Sequence, residues 1–494
     1  MNRVICINAI NLSEYATIAL PDGSSAFDRV RTFAEALPGV TRIVTLVHQQ
    51  GSIRGEILEV RAATGSAILD AFATVCSDES EIIYIHGDTP FLDTGISNRM
   101  LESHRRYFAE YSFADGYPYG MAPEILQSSI LPLLKRLVAE EDVPLNRETL
   151  FSIIQKDINS FDIETEISPD DVRSLRLSLT CDTRRNYLLC KRLFESGDTG
   201  AASVLETIRS KGGILRTLPA YINMQIIDSC PQACSYCPFP VFGGNVLQNS
   251  GRMELADFLT IIKRVEDFAP ESTVNLSLWG EPSMHPAIAQ MIEAVEETKS
   301  LSLNIETSGI GWDGAVLDRL SDRGLSRTDW IVSLDASDPQ LYRSLRGAGV
   351  EEAQATALNL LERFPGRVYI QAVRMNENEE HLESFYRSWK DKSAQVIIQK
   401  YDHFAGALAE RKVADLSPLT REPCWHLKRD LVVLLDGSVV MCREDIRSTH
   451  VLGNLLTEQL ETIWARGETL YLRHVAGDYP EICRTCDEYY TYNY

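Results

Sequence analysis

Between Tyr221 and Gln399 the chain alternates short apolar runs with amphipathic segments, a pattern that admits few folds. The apolar runs are Tyr221–Ile227, Val274–Trp279, Leu301–Glu306, Trp330–Leu334, Val368–Val373 and Val396–Gln399. Segments such as those starting at Glu254 and Ala287 place apolar residues three and four apart, the spacing of a helix with one buried face. Six such β/α units predict a parallel sheet, and right-handed crossovers curl it into a partial (β/α)6 barrel. In barrels of this kind the loops after the strand C-termini build the active site.

Cys230, Cys234 and Cys237 form a C-x3-C-x2-C triplet that begins three residues after the first of these runs. Three thiolates this close can share one metal centre. Structural zinc sites take four protein ligands, and electron-transfer cubane iron–sulfur clusters take four cysteines. A triplet therefore predicts a cluster with one iron left open to a small molecule. Zinc here would need a distant fourth ligand, since the first histidine beyond the triplet is His285.

The eleven cysteines are unevenly placed. Cys424, Cys442, Cys483 and Cys486 gather near the C-terminus and read as a second metal site, either one auxiliary cluster or a zinc. Cys6, Cys76, Cys181 and Cys190 lack metal-like spacing and read as small buried apolar residues. His426, beside Cys424, reads as a packing residue. A formal charge of −22 leaves no basic surplus for nucleic acid or anionic membranes. The absence of a long apolar run predicts no membrane span, and the N-terminal residues lack a signal-peptide layout, so the expected location is cytoplasmic.

Three domains are expected: 1–213, 214–415 and 416–494. The first is α/β, with strands in RVICINAI, TRIVTLV and EIIYIHGD and helices in AFDRVRTFAEAL and TGSAILDAFATV. The glycines of Ser196–Gly213 suggest a linker. In the last domain, LVVLLDGSVVMC reads as a hairpin turning at Asp436-Gly437.

The triplet, with Tyr236 before its third cysteine, resembles the radical S-adenosylmethionine (SAM) superfamily. Further segments similar to that family's motifs follow successive strands. These are Gly280-Glu281 for the methionine ammonium, Thr307-Ser308 for the ribose or carboxylate, and Ser333 and Asp335 for the ribose side. Arg346 would face the SAM carboxylate. The resemblance implies a 4Fe–4S cluster on Cys230, Cys234 and Cys237 that reductively cleaves SAM to a 5′-deoxyadenosyl radical, which abstracts hydrogen from a substrate. It also implies reduced flavodoxin or ferredoxin as electron donor. The last four grouped cysteines resemble a shortened SPASM ("twitch") domain with one auxiliary 4Fe–4S cluster. The first domain resembles GT-A-type nucleotidyltransferases related to sugar cytidylyltransferases, which would cast Asp88 and Asp182 as ligands of a metal-bound nucleotide. It lacks the Gly-rich basic loop that cradles a triphosphate, so a degenerate, substrate-presenting domain is expected. The whole arrangement resembles the group called spiro-SPASM proteins. The expected substrate is a peptide or protein side chain; a sugar, nucleotide-sugar or envelope precursor is the alternative. A non-catalytic zinc-binding protein is the alternative of another class.

Overall fold

The computed structural model describes residues 2–48, 55–77, 79–139, 141–197, 199–239, 251–393 and 395–491. The chain falls into two units, Met1–Leu215 and Arg216–Tyr494.

The first unit is built on seven strands: β1 (Asn2–Asn8), β2 (Arg42–Val47), β3 (Glu56–Glu59), β4 (Ser80–His86), β5 (Tyr111–Asp115), β6 (Glu124–Gln127) and β7 (Ile163–Ile167). Their order is β3-β2-β1-β4-β6-β5-β7. Strands β1 to β4 pair in parallel, and β6 runs antiparallel to β4 and β5. The helices Ala26–Ala36 and Gly65–Val75 connect the parallel strands. The first begins in a reciprocal capping box between Ser25 and Asp28, which satisfies two otherwise orphaned amide donors. Cys6, Cys181 and Cys190 are buried and Cys76 is half-buried, all as free thiols.

The expected linker is not one. Within Ser196–Gly213, of which residue 198 lies outside the described residues, Ala201–Ser210 forms a helix. Val204 and Ile208 pack into the first unit's core. Their four-residue spacing gives the helix a buried stripe, while Gly200 only caps its start.

In the second unit all six expected strands are present and parallel: β8 (Tyr221–Met224), β9 (Thr273–Asn275), β10 (Ser302–Thr307), β11 (Thr328–Ser333), β12 (Val368–Arg374) and β13 (Val396–Lys400). Three more follow: β14 (Asp430–Val433), β15 (Ser438–Val440) and β16 (Val451–Asn454). The sheet order is β13-β12-β11-β10-β9-β8-β14-β15-β16, so the barrel is open and the C-terminal strands extend it. β14 lies parallel to β8, with Asp430 opposite Tyr221 and Val433 opposite Met224. β14 and β15 form the expected hairpin, its turn carried by Gly437 at φ 78°, a conformation glycine adopts without steric cost. Apolar residues of the strands and of helices such as Leu255–Phe268 and Ile288–Glu297 form one core around the fully buried Trp330.

Candidate active site

β8 ends at Met224 because the chain then leaves the ladder. Gln225 bridges antiparallel to Ser277 and Ile227 to Arg252, which swings the cysteine loop over the C-terminal ends of the strands. Two anchors fix that loop. Ser235 N–H donates to Leu345 O at 2.8 Å. Gln232, buried between Cys230 and Cys234, donates from Nε2 to Tyr342 Oη at 2.8 Å. The helix supplying those partners, Pro339–Leu345, starts with proline at its first turn and Asp338 as N-cap, which accepts from Gln340 and Leu341 N–H. These are standard devices for a short, well-placed helix start.

Arg346 follows that helix. Its Nε donates to Gln232 Oε1 at 2.9 Å, and Nη1 donates to Tyr236 Oη at 2.5 Å and to Asp335 Oδ2 at 2.6 Å. Asp335 also accepts from Tyr236 Oη and, at 2.7 Å, from Val373 N–H. Burial of opposite charges at this distance is favourable only with such complete hydrogen bonding.

The three thiols line one cavity of about 230 Å3, together with Tyr236, Gly280, Glu281, Thr307, Ser308, Ser333 and Arg346. Asp335 is the exception among the expected site residues. It does not line the cavity, and both its oxygens are used within the protein. In this structure it holds Arg346 and Tyr236 in place. Gly280 is required by close approach, since a Cβ there would stand 2.1 Å from Ile227 O. The buried carboxylate of Glu281 accepts from Thr307 Oγ1 at 2.5 Å and Ser308 N–H at 2.8 Å, tying the loop after β9 to the loop after β10. Burial raises its pKa, and these donors oppose the rise. Burial also pushes the Cys230 and Cys237 thiols up to about 12, reinforced by Glu281 beside Cys230 and by Cys234 beside Cys237. Thiols in such surroundings ionise when they bind a cationic centre, so the donor set suits an iron–sulfur cluster.

Sequence reading missed the polar lining of the barrel. Glu306, on β10, accepts from Ser333 Oγ at 3.0 Å and from Gln371 Nε2 at 2.9 Å. Asn223 and Asn275 are register partners on β8 and β9, and Asn275 Nδ2 donates to Asn223 Oδ1 at 3.2 Å. The signal was a polar residue inside an otherwise apolar parallel strand, where near-continuous hydrophobic runs are the norm.

Cys424, Cys442, Cys483 and Cys486 also come together, around a cavity of about 20 Å3. Burial raises all four thiols, Cys424 to about 12 and Cys483 to about 11. His426 borders the cavity, but Nδ1 bonds Asp430 Oδ2 at 2.6 Å and Nε2 bonds Thr491 Oγ1 at 3.2 Å. Both ring nitrogens are thus engaged, as a packing role requires. Among the described residues no three Cys, His, Asp or Glu groups stand within reach of a single metal ion. Asn223 and Arg443 line both cysteine cavities and form their common wall. The Asn223 Nδ2 donor is buried there without a hydrogen-bond partner among the described residues. Arg443 is paired with Asp402 at 2.9 Å and Glu444 at 3.1 Å.

In the first unit Asp88 and Asp182 do approach each other, with Arg147 between them. No helix among the described residues is long and apolar enough to cross a membrane.

Comparison with known proteins adds five findings. A family model described as the Radical SAM superfamily matches residues 224–388, and one described as SPASM, an iron–sulfur cluster-binding domain, matches residues 424–487. An uncharacterized protein of Treponema pallidum (strain Nichols) is 40% identical over 360 residues, 70% of this chain and 98% of that protein. A PqqA peptide cyclase of Xanthomonas axonopodis pv. citri is 21% identical over 307 residues, covering 54% of this chain and 80% of the cyclase. The spore coat polysaccharide biosynthesis protein SpsF of Bacillus subtilis is 27% identical over 144 residues, 28% of this chain and 59% of SpsF.

Proposed function

The chain belongs to the radical SAM superfamily and carries an iron–sulfur SPASM domain, and from that premise we propose that it modifies a side chain of a peptide or protein. The observation that carries the reading is the single cavity shared by the cysteine triplet, the residues expected to bind SAM other than Asp335, and the polar strand interior. Its wall is continuous with that of the four-cysteine site through Asn223 and Arg443. The similarity to a peptide cyclase over 54% of the chain supports a peptide substrate. The match to SpsF fits the nucleotidyltransferase-like first unit and favours a second reading, a sugar or nucleotide-sugar substrate.

When bound, the cluster and SAM supply a 5′-deoxyadenosyl radical able to take hydrogen from an unactivated carbon; the protein provides orientation and shielding. Cys230, Cys234 and Cys237 hold the cluster in this reading. Gly280 lets the loop after β9 pass close against the Ile227 carbonyl, at the rim where the cluster would be held. Glu281, Thr307 and Ser308 bind the methionine and ribose side, with Glu281 anchoring its own neighbours as well as the ligand. Ser333, oriented by Glu306 and Gln371, offers a hydroxyl at the same rim. Arg346 is held rigidly by Gln232, Tyr236 and Asp335, and so presents a fixed positive charge to a carboxylate at no cost in side-chain ordering. Cys424, Cys442, Cys483 and Cys486 hold the auxiliary cluster, which with four cysteine ligands would pass electrons and not bind substrate. A reduced flavodoxin or ferredoxin is the proposed electron donor, and the cytoplasm the proposed location.

Anaerobic protein incubated with SAM and dithionite should form methionine and 5′-deoxyadenosine. Peptides encoded beside its gene, deuterated at side-chain carbons, should pass deuterium to the nucleoside. Transfer from labelled sugar precursors and from no peptide would replace the peptide reading with the sugar one. A zinc-loaded protein with no SAM cleavage would defeat both.

A further inference from the structure

The resemblance of the first unit to sugar cytidylyltransferases implies a divalent metal held near Asp88 and Asp182. The side chains present do not fit one. Arg147 Nη1 donates to Asp88 Oδ1 at 3.1 Å, Nη2 to Asp88 Oδ2 at 2.6 Å, and Nη2 again to Asp182 Oδ2 at 3.0 Å. The remaining Asp182 oxygen accepts from Thr180 Oγ1 at 2.7 Å and Asn186 Nδ2 at 2.9 Å. Each of the four carboxylate oxygens therefore already has a donor. The guanidinium is bidentate on Asp88, the strongest geometry such a pair adopts.

Nor is Arg147 a passing surface side chain. Its segment is tied down on both sides: Leu145 N–H donates to Ala63 O at 2.9 Å, and Asn146 N–H to Thr149 Oγ1 at 2.7 Å. The guanidinium carbon lies 5.3 Å from the centroid of the Tyr119 ring, within cation–π range. A metal ion would have to displace a preorganised, triply bonded cation.

Beside this clamp lies a cavity of about 130 Å3 bordered by Asn8, Asn11, His86, Asp88, Asn146 and Arg147. His86 Nε2 is buried there with no hydrogen-bond partner among the described residues. Burial, with Arg147 nearby, lowers the His86 pKa to about 3, so a neutral imidazole faces the cavity. Two carboxylates against one guanidinium leave the site net negative, which repels a triphosphate. The Asn8 amide is engaged by Tyr84 and Ile10, which leaves Asn11, the Asn146 Nδ2 and the His86 Nε2 as the uncharged hydrogen-bonding groups of the lining, the complement of hydroxyl groups.

We infer that Arg147 takes the place of the divalent cation in this unit, and that the cavity beside it binds a small uncharged hydroxyl-rich ligand, a sugar unit, without metal. The clamp explains why the unit keeps both aspartates while lacking a basic triphosphate loop: their partner is a side chain.

The test uses the full-length protein and Mn2+, followed by the electron paramagnetic resonance signal of the free ion. Wild type and Asp88→Asn should bind Mn2+ equally. Arg147→Met should gain a site at least about tenfold tighter, because two carboxylates are released to act as oxygen ligands, and adding Asp88→Asn should remove it. Wild-type Mn2+ binding that disappears in Asp88→Asn overturns the inference, as does a folded Arg147→Met that gains nothing. Should Arg147→Met melt, the comparison of wild type with Asp88→Asn decides alone. For the ligand, saturation-transfer NMR with methyl glucoside, N-acetylglucosamine and rhamnose should show contact with wild type that is lost in His86→Leu. Contact from none of the three, or Mg2+-dependent binding of CTP, overturns the assignment of the cavity.

Discussion

The two cysteine cavities of the second unit share a wall but differ in almost everything else. The triplet's cavity is about 230 Å3 and is rimmed by carboxylate, hydroxyl and guanidinium groups from successive strands. The four-cysteine cavity is about 20 Å3, and three of its four thiols are buried. The first offers an open, polar-rimmed space to a small molecule beside the thiols. The second has room for little beyond what the thiols themselves hold. The difference teaches how one chemistry, thiolate on iron, is divided by packing into a reacting site and a closed one.

The largest expected effect separates the two outright. Replacing Cys230, Cys234 and Cys237 by alanine should lower iron from about eight to about four per chain and abolish 5′-deoxyadenosine formation. Replacing Cys483 and Cys486 instead should also remove about four irons, yet leave dithionite-driven SAM cleavage measurable while substrate turnover is lost. It should also lower the melting temperature, because metal-binding free energy in small sites is folding free energy. If SAM cleavage vanished in both variants at equal iron content, the division of labour would be wrong.

Arg346→Met should come next. It leaves the buried Asp335 carboxyl without its guanidinium partner, and breaking such a buried pair costs about 3 kcal/mol or more, read as a shift in denaturant midpoint. Adding Asp335→Asn should recover part of the loss, and non-recovery would show that the guanidinium acts by packing alone. The most selective change is Glu281→Ala. Calorimetry should show SAM binding weaker by about tenfold or more, from the loss of one charged contact worth about 1.5–3 kcal/mol, at unchanged iron. Unaltered SAM affinity would confine Glu281 to bracing Thr307 and Ser308.

The six barrel strands, the hairpin and both cysteine groups were legible in the chain because period, turn chemistry and thiol spacing are local signals. Their ends were not. Val274–Trp279 reads as one strand, yet β9 stops at Asn275, and Trp279 sits at φ 52° where the chain turns into Gly280. That turn is set by contact with Ile227, far off in sequence. Arg147, Gln232 and Gln371 carried no local mark at all. Each matters through partners more than fifty residues away, Asp88, Arg346 and Glu306, and such pairings exist only once the sheets are assembled. Asp335 does carry a local mark for ligand contact, and in the folded chain its oxygens also bond Arg346, Tyr236 and Val373, partners that the motif did not announce.

The parallel pairing of β14 with β8 carries a consequence for biogenesis. The first barrel strand finds its outer neighbour only after about two hundred further residues have been made, some ten to forty seconds at about 5–20 residues per second. Through that interval one edge of the nascent barrel offers unpaired amides and carbonyls, the template on which chains aggregate. The thiols of Cys230, Cys234 and Cys237 emerge beside this open edge. The three cluster-binding positions are therefore made well before the strand that closes this edge of the sheet.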